Sequence, residues 1–225
     1  MTDWHPDIPL EYRNQIVTGD ARQLAEAIPD ESIDLIFTDP VYDRIEDYEW
    51  LAETAARVLK PRGSALIWQG VKWMPQTMTA LNKYLIYRWT FSMSHLNACV
   101  GTIKGHVYSH WTPCFWYSKA NDSVPAKRVR DAFDVPLISK QSENHKWHKS
   151  IKGLYYWCRL FSEADATIFD PFTGGGTVPA VCKMLQRNYI AFEIDPTTAD
   201  LARERVRNTQ PPLLVPQHEQ LELAV

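Results

Sequence analysis

The chain has 225 residues and a net charge of −3, with 24 Lys and Arg against 27 Asp and Glu. That length suits one domain with a full core. The balance of charge does not announce a nucleic-acid binder, and no run of about 18 apolar residues offers a membrane span. The N-terminal Met1-Thr2-Asp3-Trp4-His5-Pro6 lacks a basic-then-apolar leader and reads as cytoplasmic. Cys99, Cys114, Cys158 and Cys182 form no Cys-x-x-Cys pair and read as buried thiols. His106, His110 and Cys114 fall at spacings a metal can use, but the paired ligands of a zinc site are missing, so no metal is expected.

The first predicted strand is Ile16-Val17-Thr18, ending at Gly19-Asp20. Ile33 to Phe37 is a continuous apolar run, the mark of a strand buried on both faces. Leu51, Ala55, Val58 and Leu59 repeat at helical spacing until Lys60-Pro61-Arg62-Gly63 stops the helix, and Ala65 to Trp68 forms another buried strand. Strand, helix, strand predicts a parallel α/β unit.

The middle, about 71–144, is less regular. Tyr84 to Met93 and Pro113 to Ser118 predict aromatic-rich strands, and Asn121 to Lys140 reads as a long loop. Regularity returns near His148. A helical stripe over Ile151, Leu154, Tyr155, Cys158 and Phe161 precedes a strand at Ala166 to Phe169. A second stripe over Val178, Val181, Cys182 and Leu185 precedes a strand at Tyr189 to Ile194. Asp195 caps a last helix with Pro196 at its first position, running to about Arg207. The expectation is one α/β domain over 1–225, with 71–144 inserted and 210–225 as an extended tail.

Two segments carry chemistry. The strand ending in Asp170 opens into Pro171-Phe172-Thr173-Gly174-Gly175-Gly176-Thr177 and then a helix. Three glycines let the backbone approach a ligand closely, and the free N–H groups of the helix start favour an anionic group. Glu193 ends the next strand, where doubly wound folds place a carboxylate on ribose hydroxyls. A plain tight turn also fits the glycines alone. The spacing departs from Gly-x-Gly-x-x-Gly, because Ala180 and Val181 stand at the later positions, which disfavours a dinucleotide. A nucleoside with a small anionic appendage, S-adenosylmethionine above all, fits better.

The other segment is Asp39-Pro40-Val41-Tyr42 at the end of a parallel strand. The Asp39 carboxylate and the Pro40 carbonyl are two acceptors suited to one exocyclic NH₂, and Tyr42 offers a flat face for a base, worth about 1–3 kcal/mol. A strand-ending turn is the plainer alternative, since Asp-Pro is a common turn opener. The span from Gly101 to Arg159 is mostly basic, with Lys127, Arg128 and Arg130 grouped where they can meet phosphates. A solvated loop face accounts for the charge as well.

Val17 to Ala21, Asp34 to Asp43, Arg57 to Ser64 and Asp170 to Asp195, in this order, resemble the β-class DNA amino-methyltransferases. That is the N6-adenine/N4-cytosine family, whose catalytic motif precedes its cofactor motif. The resemblance spans about Ile16 to Arg207 and leaves the middle unmatched. It implies a Rossmann-like methyltransferase fold, a mostly parallel sheet flanked by helices, with circularly permuted motif order. It implies that Asp39 and Pro40 hold the target amine and that Tyr42 stacks on a flipped base. It implies an S-adenosylmethionine pocket from Asp20, Asp170, Phe172, Gly174, Gly176, Thr177 and Glu193. The family's His-Pro-Thr-Gln-Lys-Pro corresponds to 145–150, where His145 and Lys149 match and both prolines are replaced. The family's second catalytic proline is Val41 here, which restores an N–H and relaxes the turn. Pro113-Cys114 precedes the cofactor motif, so the covalent route of C5-cytosine methylation is set aside. The expected activity is methylation of double-stranded DNA, at N6 of adenine, with N4 of cytosine as the alternative. Methylation of RNA or a small amine, or a DNA-binding protein that has lost catalysis, are the other readings. A homodimer and a cognate restriction endonuclease are the partners the resemblance suggests.

Overall fold

The structure is a computed structural model and describes residues 4–96, 101–103, 107–120, 132–136 and 151–210. The strands are β1 (Gln15–Thr18), β2 (Ile33–Thr38), β3 (Leu59–Trp68), β4 (Ile86–Leu96), β5 (Gly101–Ile103), β6 (Val107–Ser109), β7 (Trp111–Ser118), β8 (Ala132–Pro136), β9 (Thr167–Asp170) and β10 (Asn188–Glu193). The α-helices are α1 (Ala21–Leu24), α2 (Ile45–Val58), α3 (Met74–Leu81), α4 (Ile151–Phe161), α5 (Thr177–Leu185) and α6 (Pro196–Asn208).

Among the described residues, eight strands form one sheet in the order β1-β10-β9-β2-β3-β7-β4-β8. The first five run parallel, β7 is antiparallel to β3 and β4, and β8 runs parallel to β4. This is an α/β fold with a mostly parallel sheet flanked by helices. β5 and β6 pair as a separate two-stranded ribbon.

The central parallel strands β2, β9 and β10 are mainly apolar because both faces are covered. In β2, Ile36 faces the core under α2 and α3, whereas Leu35 and Phe37 face the core under α4, α5 and α6. β9 divides Phe169 from Ile168 in the same way, and β10 divides Ile190 and Phe192 from Tyr189 and Ala191. Helix α2 sends Tyr48, Leu51, Ala52, Ala55 and Val58 inward, each of the larger ones contributing about 1.5–3 kcal/mol by burial. Asp195 caps α6 through its carboxylate, which accepts the Thr198 N–H at 2.8 Å, with Pro196 in the first turn.

The described part of the segment 71–144 joins this sheet. It supplies α3 and the strands β7, β4 and β8 that extend the sheet beyond β3. The stretch read as a loop from Asn121 to Lys140 contains β8.

Candidate active site at the strand tips

The chain runs outward from β2 to β3 in one direction and from β9 to β10 in the other. Strand order therefore reverses between β9 and β2, and a crevice opens at such a reversal, beyond the carboxyl ends of the strands. Both candidate segments end here. Leu35 and Ile36 pair with Ile168 and Phe169, so the loops after β2 and β9 leave the sheet side by side.

Thr38 Oγ1 donates to Asp170 Oδ1 at 2.7 Å across this boundary. The Phe172 N–H donates to the same oxygen at 3.3 Å. Asp170 is only 3% exposed, and burial pushes its carboxyl up to about 7 against the hydrogen bonds of Thr38, Thr173 and Phe172 that favour its charge. The nearby Asp39 carboxylate raises it further.

The glycine turn is bound to the tip of β10. Glu193 Oε2 accepts the Gly174 N–H at 2.9 Å, and its Oε1 accepts the Asp195 N–H at 3.0 Å. Gly174 has a φ of +49°, and a Cβ built on it would meet no atom within 4 Å. The turn thus borders open space, which is what close approach of a ligand to backbone requires. Gly176 differs. Its φ is +73°, and a Cβ there would lie 2.9 Å from the Ala202 Cβ, so it serves the contact between the start of α5 and α6. The Thr177 hydroxyl also points at α6 and accepts from Arg205 Nη1 at 2.7 Å. Asp20, at the tip of β1, caps α1 by accepting the Arg22 N–H at 2.9 Å. The preceding Gly19 N–H donates to the Glu193 carbonyl, which brings Asp20 beside the β10 tip.

Pro40 is buried, Asp39 and Tyr42 are half-buried, and Val41 is 54% exposed. Burial, and then the Asp39 carboxylate, push the Tyr42 phenol well above its ordinary value, and Tyr42 is hydrogen-bonded to Asp39. The Tyr42 ring lies against Gly70, just past the tip of β3. A Cβ on Gly70 would stand 2.7 Å from Tyr42 Cδ2.

A family model described as DNA methylase matches residues 111–204, and one described as methyltransferase domain matches residues 6–67. Type II methyltransferase M.HpaI of Haemophilus parainfluenzae is 26% identical over 85% of this chain and 74% of its own length. Type II methyltransferase M.HinfI of Haemophilus influenzae is 26% identical over 89% of this chain and 70% of its own. Type II methyltransferase M.BamHI of Bacillus amyloliquefaciens is 24% identical over 86% of this chain, which spans 57% of that relative. Together these likenesses support a DNA amino-methyltransferase family for the chain. In fold, the chain is similar to M1.HpyAVI in its SAM complex, with a TM-score of 0.73 at 20% identity over 85% of this chain and 98% of that one. It is likewise similar to the PvuII cytosine-N4-specific DNA methyltransferase, with a TM-score of 0.75 at 18% identity over 84% and 85%.

Sequence reasoning left unnamed several residues that meet around these strand tips. Thr38 joins the two motifs, and Gly70 receives Tyr42. Trp50 of α2 meets Phe172 edge-on at 5.7 Å, with the Arg22 guanidinium 5.9 Å from its ring. Arg22 also pairs with Asp47 at 2.7 Å, so α1, α2 and the glycine turn converge on this corner. A helix-facing tryptophan four residues from Glu46 carries no local signal of such a place. The expected residues His145, Lys149, Lys127, Arg128 and Arg130 lie outside the described residues. Of the other basic residues in the middle, Lys119 is engaged by Glu31 at 2.8 Å and by the Leu59 carbonyl. Among the aromatics there, Tyr117 is buried, whereas Tyr108 on the β5–β6 ribbon is 60% exposed.

Proposed function

We propose that this protein transfers a methyl group from S-adenosylmethionine to the exocyclic amine of a base flipped out of double-stranded DNA, with N6 of adenine as the target. The observation that supports the reading is the Thr38–Asp170 hydrogen bond, which joins the tip of β2, just before Asp39 and Pro40, to the start of the glycine turn. The open space over Gly174 and the carboxylates of Glu193 and Asp20 at adjoining tips fit the cofactor. Glu193 takes the ribose hydroxyls, Asp20 lies at the adenine, and Asp170, Phe172, Gly174, Gly176 and Thr177 shape the turn beneath.

When bound, S-adenosylmethionine supplies an electrophilic methyl on a sulfonium sulfur. The chain's part is to hold and aim the nitrogen. A base in a duplex is out of reach, so it leaves the stack at a cost of a few kcal/mol. Tyr42 gives it a ring to stack on. Asp39 and the Pro40 carbonyl accept its two N–H groups, which draws the nitrogen lone pair out of conjugation with the ring. The same acceptors stabilise positive charge growing on that nitrogen, and of the two the carboxylate is the stronger base for the proton it sheds.

A second target, N4 of cytosine, is favoured by the fold likeness to a cytosine-N4-specific enzyme. Incubation with methyl-labelled S-adenosylmethionine and mixed-sequence DNA, followed by digestion to nucleosides, tests both. Label in N6-methyladenosine is expected, label in N4-methylcytosine selects the second target, and no label in either defeats the reading.

A further inference from the structure

Tyr48 is fully buried on α2, and its hydroxyl faces two backbone carbonyls, that of Trp68 at 3.1 Å and that of Pro40 at 3.3 Å. These carbonyls belong to different strand tips, one at the end of β3 and the other in the loop after β2. A phenol has one proton, so the hydroxyl either shares it between the two or swings from one to the other. Burial, with the carboxylates of Asp39, Asp47 and Asp43, pushes this phenol well above its ordinary value. Tyr48 is therefore a donor at every working pH.

A buried carbonyl left without a donor costs about 1–3 kcal/mol. Tyr48 meets that need at Pro40 while no substrate is present. An amine hydrogen arriving at the Pro40 oxygen takes over the contact, and the phenol keeps a full acceptor at Trp68. The exchange leaves no polar group stranded, and the carbonyl stays aimed throughout. The same hydroxyl also ties the Pro40 loop to the strand tip that precedes Gly70, against which Tyr42 rests. The amine acceptor and the stacking ring are thus referred to one frame.

We propose that Tyr48 is a positioning residue for methyl transfer, whose hydroxyl fixes the direction of the Pro40 carbonyl and yields to the Trp68 carbonyl when the base amine binds. The inference rests on the reading of Asp39 and Pro40 as the amine acceptors.

Tyr12 gives the control, because its buried ring also ends in a hydroxyl bonded to a carbonyl, Leu24 O at 3.2 Å, in the core beside Phe192. Tyr48→Phe and Tyr12→Phe in the full chain both keep the ring and lose one such bond. Melting temperature, calorimetric binding of S-adenosylmethionine and single-turnover methyl transfer to DNA are measured for both. The expected result is comparable loss of melting temperature in the two, with transfer slowed about tenfold or more only in Tyr48→Phe and its cofactor affinity unchanged. Wild-type transfer by Tyr48→Phe overturns the inference, and so does equal slowing by the two variants or loss of cofactor affinity in step with rate. An inactive wild type defeats the functional reading itself, whereas an active wild type beside an unaffected Tyr48→Phe defeats the inference alone.

Discussion

Asp170 and Thr38 stand 132 positions apart in sequence and meet at 2.7 Å, side chain to side chain, in a fully buried contact. The carboxyl that receives this bond is raised to about 7 by burial. An unfolded aspartate titrates near about 4. Between those two values the unfolded chain gives up a proton that the folded chain keeps, so this group makes stability fall as pH rises. Below the window both states are protonated, and above it both are ionised. Asp170→Asn keeps an acceptor for Thr38 and the Phe172 N–H and removes the titration. The melting temperature of wild type relative to Asp170→Asn is expected to decline from about pH 4 to about pH 7 and then level off. A difference that rises with pH, or stays flat across that window, refutes the buried-acid assignment.

The two left-handed glycines of the turn make opposite demands. Gly174 borders open space, so Gly174→Ala meets only the backbone penalty of about 1–2 kcal/mol but puts a methyl into the open space proposed for the cofactor. Gly176→Ala meets that penalty and also drives a methyl into Ala202, which adds about 1–3 kcal/mol of overpacking. Denaturant unfolding is expected to rank Gly176→Ala as the less stable variant. Calorimetric titration with S-adenosylmethionine is expected to show the greater loss of affinity per unit of lost stability in Gly174→Ala. The reverse ranking in either assay refutes the division of labour.

Glu193 holds the glycine turn with one oxygen and the start of α6 with the other. Glu193→Ala is expected to weaken cofactor binding about tenfold to a hundredfold, the worth of one or two hydrogen bonds to a charged group. Glu193→Gln retains an acceptor for the Gly174 N–H and is expected to fall between the two. Binding by Glu193→Ala equal to wild type counts against a ribose-binding role.

What could be read in the sequence follows from what is local. Strands β2, β9 and β10 are mainly apolar runs because they are covered on both faces, and they end at Thr38, just before Asp39, and at Asp170 and Glu193, so the polar residues at these tips stand out in the sequence. Helix α6 announced its start through Asp195 and Pro196. Helix α3 did not, because only Thr77, Ala80 and Leu81 are buried on it; Pro75 in its first turn was the available signal. Strand β3 also starts earlier than its apolar stretch, at Leu59, with a register shift between the partners of Ile33 and Leu35. Thr38, Tyr48, Trp50 and Gly70 stayed silent because each acts on a residue from another element. A buried tyrosine on an amphipathic helix looks like any core residue until its hydroxyl is seen against Pro40 and Trp68.

Gly70 gives the sharpest case. Its φ of −78° is ordinary, so any residue can adopt its backbone conformation. What it lacks is room, since a Cβ would sit 2.7 Å from Tyr42 Cδ2 and 3.3 Å from Cγ. Gly70→Ala therefore pushes the Tyr42 ring off its seat while the glycine turn and Glu193 are untouched. Loss of the stacking platform costs about 1–3 kcal/mol of base binding. Methylation by Gly70→Ala is expected to fall about tenfold to a hundredfold, with cofactor affinity unchanged. The double variant Gly70→Ala, Tyr42→Ala is expected to be no worse than Tyr42→Ala alone, because the methyl has then no ring to displace. Additive losses in the double variant would show that Gly70 acts through something other than Tyr42.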